Sequence, residues 1–368
     1  MKIYSSKPIS NEILVSKLLT AGYELSAIDQ ADNYIPGLAP RSNMLNSYLK
    51  ENNPSKAVDL KLELATKDGL LDAVQGANLN VVKTVKEASL TNIQNFGVPF
   101  IIKPNNGFGG NSTFSFAYKV FADYNEFVSF VDLADFNTNF IDTEVYKNYI
   151  IQQSLLDTNG EVTQVFVSGF INTNSDKYIE CHHTVKMEQD VRADNLTPTV
   201  SAYPSKFKRT TDSYSDPTSI TDTYGVLAQL EQLFKFYNIK SVPFQCQAIV
   251  DPNDPSKAYL TDFVYKLRAQ NYTLGINDDE YLVDKFNFMY KGDAVAIPNT
   301  TYTYYPQLDL SKGITQELND FCATNNIYIE YNFGEKLNRR SIPFSVTGSS
   351  KSELDTKLQN LKDFISTY

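Results

Sequence analysis

Between Pro99 and Ser112 the chain passes from an apolar run, Phe100 to Ile102, through Lys103 and Pro104 into a polar loop. That loop holds Gly107, Gly109 and Gly110. A short apolar run closed by Lys-Pro fits a buried strand. Glycines allow the positive φ of a tight turn and let backbone N–H groups come close to an anion. A lysine at the strand's end adds a point charge within reach of the same anion. The stretch lacks the Gly-Lys-Ser/Thr of a phosphate loop that opens a helix. It is also a poor dinucleotide fingerprint, because the next run, Ser112 to Tyr118, alternates as a strand does. An ordinary hairpin turn accounts for the stretch as well as a phosphate cover does, so its neighbours decide.

Those neighbours follow in a definite order. Upstream, Lys67 opens a helix with Leu70, Leu71, Ala73 and Val74 at helical spacing. Downstream come the strand Tyr149 to Leu156, the acid Glu161, and two strands, Pro243 to Asp251 and Tyr259 to Arg268. Over roughly residues 65 to 275 this order resembles the ATP-grasp superfamily. The resemblance implies an α+β / α/β chain in which two α+β subdomains clasp ATP. A short N-terminal α/β domain would precede them and a small C-terminal α/β appendage would follow. The corresponding divisions are residues 1–62, 63–155, 156–300 and 301–368.

Carried over residue by residue, the resemblance implies that Lys67 and Lys103 hold the triphosphate under the loop bearing Gly107, Gly109, Gly110 and Ser112. Gln152, Gln153 and Leu155 form the adenine hinge, and Glu161 binds the ribose. Asp262 and Gln247 are the metal ligands, and Lys266 and Arg268 are the catalytic cations near the γ-phosphate. The cofactors are ATP and Mg²⁺, and the implied reaction activates a carboxylate as an acylphosphate that an amine attacks. The partners are then small-molecule carboxylate and amine substrates, and a homodimer is open to such a chain. Taken singly, Lys67 reads as a solvated lysine in a first helical turn, and Glu161 equally as a solvated turn residue.

The metal strands depart from the family pattern. Gln247 stands where an acid is usual, and the second strand offers Asp262 and then Val264 in place of Glu-x-Asn. Asp262 is a sound hard-oxygen ligand, Gln247 offers one neutral carbonyl, and Val264 offers none. A ligase and a degenerate ATP-grasp protein that binds nucleotide as a regulatory or scaffold module therefore both stay open.

Elsewhere the patterns predict an edge strand over Met1 to Ser5, a helix from Ser10 through Leu19 and a strand over Tyr23 to Ile28. They predict a helix capped by Asp123, strands over 162–171 and 178–186, and a helix over Ser219 to Tyr237. A helix over Glu280 to Tyr290 and a strand, strand, helix tail complete the reading. His182 and His183 are adjacent on a strand, so they point to opposite faces and cannot pair on one metal. Cationic candidates for the substrate carboxylate are Arg268, Lys186, Arg192 and Arg339.

Net charge of −10 argues against a nucleic-acid or membrane-surface binder. No apolar run approaches the roughly 18 residues of a membrane span. The three cysteines are far apart and suggest neither a disulfide framework nor a zinc site. With no secretory signal at its start, the expected location is cytoplasmic.

Overall fold

The computed structural model describes residues 1–7, 9, 12–37, 39–105, 114–189, 207–209, 214–215, 222–267, 271, 280–293, 302–304, 307–310, 313–329 and 341–367. The N-terminal unit is a parallel three-stranded sheet of β1 (Lys2–Ser5), β2 (Glu24–Leu25) and β3 (Asn33–Ile35) in the order β2-β1-β3. The helices α1 (Glu12–Thr20), α2 (Ala39–Asn52) and α3 (Pro54–Leu60) accompany it. The first strand is thus the middle one and not an edge. Ile3 is fully buried with a parallel neighbour on each side, which its short apolar pattern did not reveal.

Next, α4 (Lys67–Gly76) leads to a four-stranded antiparallel sheet, order β4-β7-β5-β6. Its strands are β4 (Thr84–Lys86), β5 (Phe100–Pro104), β6 (Val120–Phe121) and β7 (Tyr149–Gln153). The helices α5 (Leu90–Gln94), α6 (Tyr124–Phe130) and α7 (Leu133–Phe136) cover it. Asp123 caps α6 by accepting from the Glu126 N–H at 2.9 Å, and the Glu126 carboxylate reaches back to accept from the Ala122 N–H at 2.7 Å, one residue ahead of the cap.

The strand expected over 112–118 is not formed among its described residues: 114–118 turn, and only Val120–Phe121 pairs with β5. Phe114 and Phe116 lie face to face with centroids 5.2 Å apart, and both meet Phe140 edge-on at 5.0 Å. Two alternate rings buried in one aromatic core satisfy a turn as well as a strand. Tyr118, at φ 63°, closes that turn.

The second large sheet has the order β10-β9-β8-β12-β13. Its long strands are β8 (Glu161–Ile171), β9 (Lys177–Gln189), β12 (Val242–Asp251) and β13 (Asp254–Val264), with the short β10 (Phe207–Arg209) at one edge. The helix α8 (Val226–Tyr237) packs Leu230, Leu233 and Phe234 on one face of this sheet, in a core shared with Leu70, Ala73 and Val74 of α4. Within its described residues α8 starts later than expected, because Gly225 sits at φ +67°, left-handed, ahead of Val226.

The other sheet face meets α9 (Tyr281–Lys291) and the N-terminal unit in a second core containing Phe170, Leu267, Phe286, Ile3 and Leu18. A fully buried ion pair lies there: Lys285 Nζ stands 3.2 Å from Glu180 Oε2, with side-chain exposures of 0% and 2%. The Tyr281 hydroxyl donates to Glu180 Oε1, and Asn271 Nδ2 donates to Tyr281 at 2.9 Å. Lys285 also rests 3.8 Å above the Tyr178 ring. A bulge in the β8–β9 pairing beside Ser168 and Gly169 sets Glu180 in this position. A Cβ on Gly169 would come within 2.0 Å of the Tyr178 carbonyl oxygen, so the bulge requires glycine.

The C-terminal part joins β11 (Tyr214–Ser215), β14 (Tyr302–Tyr304), β15 (Gln307–Asp309), β16 (Tyr328–Ile329) and β17 (Ser341–Gly348) around β17. The helices α10 (Gln316–Thr324) and α11 (Lys351–Thr367) close its core through Leu318, Leu354 and Leu361.

Candidate functional site

Lys103 is the fourth residue of β5, opposite Ile150 of β7. Phe100 and Ile102 are buried in the aromatic core, so strand alternation sends Lys103 to the other face. Lys103 is 8% exposed, and its Nζ donates to Gln152 Oε1 at 2.6 Å. Gln152 Nε2 in turn donates to Thr84 Oγ1 at 3.1 Å, and that hydroxyl donates to the Val82 carbonyl at 2.9 Å. The lysine is held by a neutral relay across three strands.

Lys67 begins α4, with Thr66 as N-cap accepting from the Gly69 N–H at 3.1 Å. Helix starts leave backbone N–H groups without helical partners. Here Asn105, one residue beyond β5, takes two of them: its carbonyl accepts from Lys67 N at 3.3 Å and its Oδ1 from Asp68 N at 2.9 Å. Asn105 therefore ties the first lysine's helix to the second lysine's strand. Sequence reading passed over it as one more loop residue. An asparagine just past a strand end, with a helix start to satisfy, was the available signal.

Asp262 comes from the other sheet. It lies directly opposite Gln247 in the β12–β13 pair, and the next registered pair is Ala248 with Leu260. Thr261 is thus an extra residue, and its consequence is decisive. Leu260, Ala258 and Ala248 face the α4/α8 core, as do Phe263 and Cys246. Without the bulge Asp262 would point the same way as Leu260; with it, Asp262 joins Gln247 on the opposite face. The row continues across the sheet, because Gln247 pairs with Phe166 and Phe166 with His183. The Phe166 and His183 rings stack at 5.3 Å and 12°, and His183 Nδ1 lies 3.2 Å from Cys181 Sγ. His182 pairs with Val167 on the other face, as adjacent strand positions require.

Charge unites the two sheets at this point. Burial lowers the Lys67 pKa, opposed by Asp262. Burial pushes Lys103 down to about 7, helped by the like charge of Lys67 and opposed by Asp262. One carboxylate thus acts on both lysines, although it stands on a different sheet. Two buried lysines thus meet in a site largely closed to water, where an anion that draws both into the charged form is favoured.

The remaining expected residues are distributed around this centre. The Gln153 N–H is committed to the Lys83 carbonyl at 2.9 Å and the Ser154 N–H to Pro99 at 2.8 Å. Leu155 follows them, its side chain buried. Glu161 opens β8, its N–H held by Asp157 Oδ1 at 2.9 Å and its Oε2 lying 3.3 Å from Lys186 Nζ. Lys266 is half-buried between two anchors, Tyr265, whose hydroxyl donates to the Lys61 carbonyl at 2.7 Å, and the buried Leu267. Gly107, Gly109, Gly110, Ser112, Arg268, Arg192 and Arg339 lie outside the described residues. Among the described residues no three His, Cys, Asp or Glu side chains gather as a metal-binding group, and no helix is long and apolar enough to cross a membrane.

The architecture is that of known proteins. N5-carboxyaminoimidazole synthetase from Staphylococcus aureus matches at a TM-score of 0.58 and 12% identity, covering 99% of this chain and 97% of that one. Carboxyaminoimidazole ribonucleotide synthase from Aspergillus clavatus, solved with ATP, matches at 0.58 and 9% identity, covering 100% and 98%. L-amino acid ligase from Bacillus licheniformis matches at 0.56 and 9% identity, covering 98% and 96%. All are ATP-grasp proteins, and this chain has the ATP-grasp fold over nearly its whole length. No protein-family model matches the sequence, and a comparison with curated proteins gave no match.

Proposed function

We propose that the protein is an ATP-dependent ligase that activates a small carboxylate as an acylphosphate and joins it to an amine. The observation that carries this reading is the convergence of Lys67 and Lys103 from one side and Asp262 from the other on a single buried site. It is supported by the fold, shared with a synthase solved with ATP and with an L-amino acid ligase. In this reading the triphosphate lies against the two lysines beneath the loop Asn105 to Asn111, whose glycines, with Ser112, would supply N–H groups. The adenine edge meets the Gln153 carbonyl and the Leu155 N–H, because the intervening N–H groups are used within the sheet, and Glu161 reaches the ribose.

The donor set suits Mg²⁺ only as a lean site. Asp262 and Gln247 would hold the ion from directly opposite strand positions, the rest of its oxygen shell coming from phosphates and water. When bound, Mg²⁺ neutralises charge on the transferred phosphoryl group. The chain's own residues do the positioning. Lys67 and Lys103 fix the phosphates, and Lys266 and Arg268 would stabilise the γ-phosphoryl group as the carboxylate oxygen attacks its phosphorus, the bond to the β-phosphate breaks and the charge passes to the departing ADP. The amine then displaces phosphate from the acyl carbon and loses its proton as the amide forms.

A second reading, a nucleotide-binding module without turnover, is favoured by one specific observation. Val264, two residues beyond Asp262, is buried and brings no ligand atom to the site. An ATPase screen against a panel of amino and hydroxy acids, with product masses recorded, separates the two. Phosphate release stimulated by one acid, together with an amide mass on adding an amine, supports the ligase. Saturable ATP binding with no stimulated release across the panel supports the module and rejects the ligase.

A further inference from the structure

Where β3, α3, the β8–β9 turn, the start of β12 and the end of α9 meet, the fold leaves a cavity of about 210 Å³. It is separate from the nucleotide cleft, since Gln247 lies roughly 20 Å further along β12 than Ser241 at about 3.3 Å per residue. Its charged wall is formed by Lys56 and Asp59 of α3 and by Lys240, with Ser241 and Tyr290 beside them. Lys56 Nζ spends one of its three N–H groups on Asn33 Oδ1, at 3.3 Å. The Asp59 carbonyl accepts from the Lys240 N–H at 3.1 Å, yet neither the Asp59 carboxylate nor the Lys240 ammonium forms an ion pair with any described residue.

One further feature marks the cavity as a site for a ligand. Ser241 is buried and holds φ 53°, a left-handed conformation that a non-glycine residue keeps only when its surroundings enforce it, commonly at ligand clamps.

Charge selects the ligand class. Two ammonium groups repel a metal cation, and the Asp59 carboxylate repels a polyanion such as phosphate. A small molecule bearing both a carboxylate and an ammonium group satisfies all three. We propose that this cavity binds a small amino acid as its zwitterion, the carboxylate held by Lys56 and Lys240 and the ammonium by Asp59. The walls come from the N-terminal unit and from the central sheet, so an occupant braces one against the other. The inference does not depend on the nucleotide reading.

The test is calorimetry on the full, nucleotide-free chain with glycine, β-alanine, acetate, ethylammonium and inorganic phosphate as separate probes. Saturable binding of glycine or β-alanine is expected, with acetate and ethylammonium each far weaker. Lys240→Met and Asp59→Asn should each weaken it about tenfold or more. Lys56→Met replaces Lys240→Met if that variant does not fold. Three results each overturn the proposal: neither amino acid binds, phosphate binds as well as the amino acids do and ignores Asp59→Asn, or amino-acid binding is unchanged in the variants.

Discussion

Lys103 Nζ donates to Gln152 Oε1 at 2.6 Å, so a buried ammonium has a neutral amide as its nearest partner. A carboxylate in place of the Gln152 amide would hold the lysine's proton firmly. With an amide, burial and the neighbouring Lys67 prevail, and Lys103 falls from 10.5 to about 7.

Nucleotide binding should therefore take up a proton. Above pH 7 the free protein carries Lys103 largely neutral, and bound phosphates restore its charge. Calorimetry of ADP binding at pH 8, in buffers of different ionisation enthalpy, should show uptake approaching one proton, and at pH 6 almost none. Affinity should weaken as pH rises through 7. The folding linkage has the opposite slope: between about 7 and 10.5 the unfolded chain holds more protons, so this lysine's cost to stability is relieved as pH rises. Equal, negligible uptake at pH 6 and pH 8 would show that Lys103 does not meet the phosphates.

Gln152→Glu should abolish that proton uptake. The new carboxylate accepts the same hydrogen bond and raises the Lys103 pKa, so the lysine is charged before nucleotide arrives. It also competes for the ammonium, so ADP should bind more weakly than to the parent at pH 6, where both proteins carry charged Lys103. Proton uptake at pH 8 persisting unchanged in the variant would remove Gln152 from the account.

The Lys285–Glu180 pair makes a stability prediction of the kind that distinguishes a buried charge from a buried bond. Lys285→Met leaves Glu180 buried without its cation and should cost about 3–5 kcal/mol, whereas Lys285→Met combined with Glu180→Leu should recover most of that loss. Urea unfolding midpoints of the parent, the single and the double variant measure this. A double variant no better than the single would assign the stability to the surrounding hydrogen bonds and not to the charges.

Much of this candidate site could be read in the sequence because its parts lie on regular elements or at their ends. Lys103 closes a strand whose apolar residues announce it, Lys67 opens a periodic helix, and Gln247 and Asp262 lie on two strands joined by a turn-rich segment. What could not be read is what depends on partners distant in sequence. Ile3 looked like part of an edge strand because nothing local reveals strands on both sides of it. Phe114 and Phe116 alternate as strand residues do, yet both rings enter one core from a turn. The extra residue at Thr261 has no local signature, although without it Asp262 would face Phe263's core. Periodicity reports which residues seek burial; the pairing register decides which face receives them.

The central claim is that Asp262 and the two buried lysines form one nucleotide site, and titration of ATP with and without Mg²⁺ tests it most directly. Lys103→Ala should weaken ATP binding under both conditions, by about 1.5–3 kcal/mol for the loss of a charge-assisted contact. Asp262→Asn keeps the shape but removes the carboxylate. It should leave metal-free binding intact or tighter, and abolish most of the gain that Mg²⁺ gives the parent. An equal Mg²⁺ dependence in the parent and in Asp262→Asn, or an unchanged affinity in Lys103→Ala, would contradict the account.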